Sequence, residues 1–198
     1  GMIILPHWDF DNFNDAINFI KSNPGRYVFK PSGKLLGNIS SESEEKGILF
    51  LAQEDDGKDL IEILEQNKRV WARKIKKFQL QKMAVGVEVA VGAFFNGEDF
   101  IYPINVNFEH KNLFPGDIGP LTGEMGTSMY WSPQNEIFKS TLLKLKDELA
   151  KSGYVGYIDI NCIANAKGIY PLEATSRFGY PHISIAMEGV ISDWGEFL

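Results

Sequence analysis

Asn96-Gly97 is the dipeptide that most restricts what this chain can fold into. It follows the alternating run 87–95 and precedes the aromatic and β-branched run 99–108. Asn-Gly between two such runs predicts a hairpin, because both residues tolerate the positive φ that a tight turn between twisted strands demands. Residues 78–84 read as a further strand, joined to the first through Val85-Gly86. Three consecutive strands with tight turns predict an antiparallel sheet, and hence an α+β chain rather than a parallel, doubly wound one.

Hydrophobic period places the other elements. Phe13, Ala16, Ile17 and Ile20 recur at helical spacing after a capping Asp11 and before Pro24-Gly25. Leu60, Ile61 and Leu64 predict a helix over 59–67, and Ser132-Pro133 opens another that buries Phe138, Leu142, Leu145 and Leu149 and ends at Gly153. Strands 26–30 and 47–53 complete the N-terminal part. The basic run Arg69, Arg73, Lys74, Lys76 and Lys77 reads as a solvated face. Residues 109–131, with four glycines and two prolines, read as a long loop. Loops of that length in compact domains usually serve a ligand. The expected division is into lobes 2–77 and 78–198.

Composition narrows the function. With 44% apolar and 23% charged residues in 198, the chain is an ordinary globular one. Twenty-six acids against twenty bases give a net charge of -6, so neither nucleic acid nor an anionic membrane surface is expected as a partner. No apolar run reaches the roughly 18 to 20 residues of a membrane span, and no basic segment followed by an apolar one opens the chain. The single cysteine, Cys162, rules out a disulfide framework and fits a reducing, cytoplasmic location; it reads as a packing residue rather than a nucleophile.

Two stretches carry candidate chemistry. In the first, YIDINCIA and GIYPLEA read as strands flanking the turn Asn165-Ala166-Lys167-Gly168. Asp159 and Glu173 lie about equally far from that turn and are expected as cross-strand neighbours, with Arg177 beyond them. Two carboxylates at one spot repel unless a cation lies between them, and Mg²⁺ takes such oxygens together with substrate phosphates. The open alternative is that one of the two faces solvent. In the second stretch, Lys30 closes a strand, and Gly33 and Gly37 bracket a loop that carries Lys34. Backbone amides and lysines of this kind suit a phosphate. GxxxxGK[ST] is absent, and a plain glycine-containing hairpin loop is the alternative.

Taken together, these stretches resemble the ATP-grasp superfamily and, within it, the phosphoribosylamine-glycine ligases. EHKN, GDIGPLTGEMG and WSP look like that family's DHKR, GDxGPNTGGMG and YSP. RYVFKPSGKLLG is similar to its strand, lysine and glycine loop, and QKMAVGVE to its hinge and following G-x-E. GYID, LEAT and SRFG look like its metal hairpin and E-x-N-x-RFG. The resemblance covers about residues 28–182. It implies two lobes, each with an antiparallel sheet and helices, and an ATP cleft between them. It also implies ATP and Mg²⁺ as cofactors, and a ligase that joins a small carboxylic acid to an amine through an acyl phosphate, a purine-biosynthesis-like activity.

The resemblance assigns roles as well. Lys30 would contact the ATP phosphates, with Gly33, Lys34 and Gly37 folded over them. Gln81, Lys82 and Met83 would border the adenine, and Glu88 would accept from the ribose hydroxyls. Asp159, Glu173 and Thr175 would hold Mg²⁺, and Arg177 would stabilise charge as the γ-phosphate moves to a carboxylate. Thr175 stands where the family has asparagine, and Asn38 where it has a second loop lysine. Leu121 and Glu124 replace Asn and Gly, Asn112 replaces an arginine, and Tyr180 and His182 replace two acids. These replacements imply a different acid and a different amine. Family members carry a further domain before the lobes, which implies a separate substrate-binding domain or subunit as partner. The other class of function that fits is a non-catalytic nucleotide-binding or regulatory module of the same fold.

Overall fold

A computed structural model describes residues 1–32, 48–180, 182–193 and 195. Its contacts form two compact units, Leu5–Ala84 and Gly1–Ile4 with Val85–Leu198. Gly33, Lys34 and Gly37, the expected phosphate loop, lie outside the described residues. Among the described residues no helix is long and apolar enough to cross a membrane.

The first unit contains β1 (His7–Phe10), α1 (Phe13–Ser22), β2 (Tyr27–Ser32), β3 (Phe50–Leu51), α2 (Lys58–Lys74) and β4 (Lys77–Lys82). Its sheet has the order β1-β4-β2-β3 and is antiparallel throughout. Alternation along β2 buries Tyr27 and Phe29, and along β4 Phe78 and Leu80. Phe13, Ala16, Ile17 and Ile20 of α1, with Leu60 and Leu64 of α2, complete this core. Each large side chain removed from water contributes roughly 1.5–3 kcal/mol. The cap of α1 is Asn12 rather than Asp11: its side chain accepts from the Asn14 amide at 2.8 Å. The second helix extends past the expected end at Asn67, because Trp71 stacks on Phe29 and anchors two more turns. Arg73 and Lys74 fall in its last turn, where cations suit the helix dipole, and the basic run is solvent-exposed as expected.

The sequence reading places 78–84 in one sheet with 87–108, and the structure corrects this. The strand β4 pairs with β1 and β2 instead, because Phe78 and Leu80 are needed under α1 and α2. The sequence reading divides the chain after residue 77; in the structure the units divide after Ala84.

The second unit contains β5 (Val87–Asn96), β6 (Phe100–Phe114), β7 (Ile118–Ser132), α3 (Glu136–Ser140), a 3-10 turn (Leu142–Leu145), α4 (Lys146–Ser152), β8 (Val155–Asn165), β9 (Gly168–Thr175) and α5 (His182–Gly189). The sheet order is β7-β6-β5-β8-β9. The Asn96-Gly97 hairpin forms, with Asn96 Oδ1 accepting from the amides of Glu98 (3.0 Å) and Asp99 (2.8 Å). One face of the sheet buries Val91, Ala93, Phe95, Ile104 and Ile160 against Phe138 and Leu142. The helix expected to open at Ser132-Pro133 is instead capped by Asn135, which accepts from the Phe138 amide at 3.0 Å, and it is broken by the 3-10 turn.

The largest correction concerns 109–131. It is not a loop but the far half of the β6–β7 hairpin, paired from Ile104↔Ser132 to Phe114↔Ile118. The reversal rests on Gly116 and Asp117, with φ of 74° and 58°. Register shifts around Asn112 absorb the glycines and Pro120 that made the stretch look irregular.

Candidate active site

The face of the second sheet turned away from α3 and α4 is polar, and it is built by alternation. On β6, Asn105, Asn107, Glu109 and Lys111 alternate with Val106, Phe108 and His110. On β8, Tyr157, Asp159 and Asn161 alternate with Ile158, Ile160 and Cys162. The central β5 presents Gly92 between Asn105 and Asp159, and Ala90 between Asn107 and Asn161. Small residues in the middle strand leave room for polar groups reaching in from both sides. Gly92 is required there, since a Cβ would stand 2.0 Å from the Tyr157 hydroxyl.

A bulge sets the register of the outer strand. Cys162 faces Pro171, but Asn161 faces Glu173, so Leu172 is the extra residue. Pro171 has no amide hydrogen to give the ladder, which suits an edge strand and a bulge. Without this extra residue, Glu173 would face Ile160 and Thr175 would face Ile158, both on the apolar side. With it, Thr175 lies directly opposite Asp159, and Glu173 opposite Asn161. The expected direct pairing of Asp159 with Glu173 is therefore corrected to a diagonal one on the same face.

Hydrogen bonds tie this face together. The Thr175 hydroxyl donates to Asp159 Oδ1, and the Tyr157 hydroxyl to Asp159 Oδ2 at 3.4 Å. Tyr157 also accepts from Asn105 Nδ2 (3.2 Å), and Asn107 Nδ2 donates to Asn105 Oδ1 (3.2 Å). Asn161 Nδ2 donates to Glu109 Oε2 at 3.1 Å. Lys111 pairs with Glu88 and lies 3.4 Å from Glu109 Oε2. Arg177 Nη1 donates to the Phe178 carbonyl at 3.5 Å.

Asp159 is 3% exposed, and burial, reinforced by Glu109 and Glu173, pushes its carboxyl up to about 6 against the help of Thr175 and Tyr157. Burial, then Glu109 and Asp159, push Glu124 of β7 up to about 7. Burial works against charge on Lys111, but its bond to Glu88, with Glu109 and Glu173 nearby, holds its pKa above the usual lysine value. Burial lowers the pKa of His182.

Both raised carboxyls bind protons in the folded state that the unfolded chain has already lost. Stability of the free chain should thus fall as pH rises from 3.8 to about 6 for Asp159, and from 4.5 to about 7 for Glu124. A loss on the order of 2 kcal/mol between pH 5 and pH 8 is expected in urea melts of the second unit. A flat profile would contradict this placement of the two acids.

Among the described residues, no three His, Cys, Asp or Glu side chains group closely enough to enclose a metal. Asp159, Glu173 and the Thr175 oxygen are instead a partial set of hard donors, of the sort Mg²⁺ completes with water and phosphate oxygens. In the first unit, Lys30 Nζ donates to Gln81 Oε1 at 2.7 Å, and Lys82 Nζ lies 4.7 Å above the Tyr27 ring. The Lys82 amide donates to the Pro6 carbonyl (2.8 Å) and the Met83 amide to that of Arg26 (3.0 Å). Sequence reasoning missed Asn105, Asn107, Glu109, Lys111, Tyr157 and Asn161. Their period-2 pattern was the available signal, hidden on β6 by the reading of 109–131 as a loop.

The model of the phosphoribosylglycinamide synthetase ATP-grasp (A) domain matches residues 6–183. Phosphoribosylamine--glycine ligase of Clostridium acetobutylicum is 25% identical over 198 residues, spanning 96% of this chain and 45% of that protein. The Streptococcus pneumoniae ligase of the same name is 27% identical, over 99% of this chain and 46% of its own. The crystal structure of phosphoribosylamine--glycine ligase from Thermotoga maritima superposes with a TM-score of 0.65 at 22% identity, covering 96% of this chain and 48% of that one. D-alanyl-alanine synthetase A from Vibrio cholerae gives 0.61 at 12% identity, over 99% and 57%. The chain thus spans about half the length of the relatives it matches.

Proposed function

Because this chain belongs to the phosphoribosylglycinamide synthetase ATP-grasp (A) domain family, we propose that it is an ATP- and Mg²⁺-dependent carboxylate-amine ligase, or the nucleotide-binding core of one. The observation that carries the proposal is the bulged hairpin, which turns Glu173 and Thr175 onto the face of the buried Asp159. Asp159 and Glu173 hold the metal, which when bound neutralises the ATP phosphates. The Thr175 hydroxyl orients Asp159 through their hydrogen bond. In the first unit, Lys30 meets the phosphates, and Gln81, Lys82 and Met83 border the adenine. In the second, Glu88 accepts from the ribose and Arg177 offsets charge on the moving phosphoryl group.

A carboxylate is a poor electrophile. An oxygen of the acid attacks the γ-phosphorus, the bond to ADP breaks, and an acyl phosphate forms. The amine, once it has given up a proton and is neutral, attacks the carbonyl carbon through its nitrogen; a second proton is lost from that nitrogen and phosphate leaves. The acid and the amine are small molecules, other than glycine and phosphoribosylamine. The setting is cytoplasmic, and a further substrate-binding domain or subunit is a partner. ADP release, assayed with MgATP over a panel of acids and amines, tests the reading. Formation dependent on one acid supports it; ATP binding with no turnover under any pair favours instead a nucleotide-binding module without catalysis.

That second reading draws on one observation, the commitment of the Thr175 hydroxyl to Asp159. Thr175→Asn places an amide carbonyl, a better Mg²⁺ ligand, at this position. It should raise Mg²⁺-dependent ATP affinity about tenfold, roughly 1.4 kcal/mol, measured by calorimetry. An unchanged or weakened affinity would show that the hydroxyl already serves the site.

A further inference from the structure

Beside Asp159, the polar face of the second sheet contains three buried oxygens that no donor among the described residues reaches. Asn107 is 1% exposed and spends its amide nitrogen on Asn105. Its Oδ1 lacks a partner. Thr127 stands directly opposite Glu109 in the β6–β7 ladder, and its Oγ1 is the second orphan. The third is Glu124 Oε1. Its other oxygen lies close to Gly179, where a Cβ would stand 2.5 Å from Oε2. Ala90 is the small residue opposite Asn107 in the ladder.

The oxygens lack N–H donors, and acidic groups outnumber basic ones around Glu124. The carboxylates of Glu109, Glu124 and Asp159 act on one another here, and Lys111, already paired with Glu88, and Arg177 offset them only in part. One group supplies both needs: an ammonium presents three N–H donors around a single positive atom. Orphaned buried acceptors are costly, and a site that leaves them unmet discriminates strongly for the ligand that meets them.

We propose that Glu124, Asn107 and Thr127 form a subsite for the ammonium group of an amine substrate, with Glu124 as the residue that selects this substrate class. The proposal rests on the ligase reading only in calling the bound amine a substrate; the binding itself needs neither ATP nor Mg²⁺. The test is a titration of the ¹⁵N-labelled full chain with ethylammonium chloride in EDTA at pH 8, followed by NMR. Sodium chloride and tetramethylammonium chloride at equal ionic strength, and ethanol, serve as controls. Saturable shifts at residues 105–109 and 124–127 are expected with ethylammonium alone, weakened at least tenfold in Glu124→Gln and Glu124→Gly. Equal shifts with sodium or tetramethylammonium, or an undiminished response in both variants of native-like spectrum, would overturn the subsite. MgATP is titrated into matched samples without EDTA. ATP binding without an ammonium response refutes the subsite alone, whereas an ammonium response without ATP binding refutes the ligase reading and upholds the subsite.

Discussion

Gly92→Ala is expected to destabilise the second unit by about 3 kcal/mol, although it adds a single methyl group. That methyl would stand 2.0 Å from the Tyr157 hydroxyl, 2.6 Å from Cζ and 3.0 Å from Asp159 Cβ. Tyr157 has no room to swing aside. Its ring stacks on Phe178 at 4.4 Å and meets Phe94 edge-on at 5.4 Å, and its hydroxyl bridges Asn105 and Asp159. The sheet must therefore open or the tyrosine must leave its pocket, and either change displaces Asp159. Urea melts of the two proteins measure the loss. Because the nearest atom is the hydroxyl, Tyr157→Phe in the Gly92→Ala background should recover part of it. Simple addition of the two single losses would contradict the close packing described.

Asp159→Asn and Glu173→Gln should each reduce the Mg²⁺-dependent gain in ATP affinity by about 10- to 100-fold, the range found when groups that govern a metal site are altered. The two substitutions should separate in the metal-free chain. Asp159 is buried, with its carboxyl pushed up to about 6, so at pH 8 its charge is held at a cost. Asp159→Asn removes that cost and should raise the unfolding midpoint at pH 8, and about half as much at pH 5. Glu173 is exposed, and Glu173→Gln should leave the midpoint nearly unchanged. Calorimetric titration of ATP with and without Mg²⁺, beside melts at both pH values, checks both halves. Loss of Mg²⁺ dependence together with a lowered midpoint would mean that Asp159 is chiefly structural.

The sequence revealed elements more readily than their partners. Asn96-Gly97 and the helical spacing of Phe13 to Ile20 are local signals, and each produced its element. Local signals do not say which sheet a strand joins. The strand at Lys77–Lys82 follows the same alternation wherever it pairs, and only the need to cover α1 and α2 assigns it to the first unit. The far half of the β6–β7 hairpin was obscured for another reason: its glycines and Pro120 are turn formers in isolation but are tolerated in an edge strand with an irregular register. At the site, the acidic pair was visible as residue types, whereas the face it occupies depends on the extra residue at Leu172. A one-residue slip reverses every side chain beyond it, and nothing in the local sequence except Pro171 points to that slip.

In the proposed site, Asp159 and Glu173 grip a metal only when nucleotide phosphates complete its coordination. Mn²⁺ in place of Mg²⁺ reports its own position, because it broadens the NMR signals of nearby amides. With ATP present, broadening should centre on residues 159–161 and 173–175, and without ATP it should be weak there. Broadening centred elsewhere in the chain, or equally strong at the hairpin without ATP, would contradict the account.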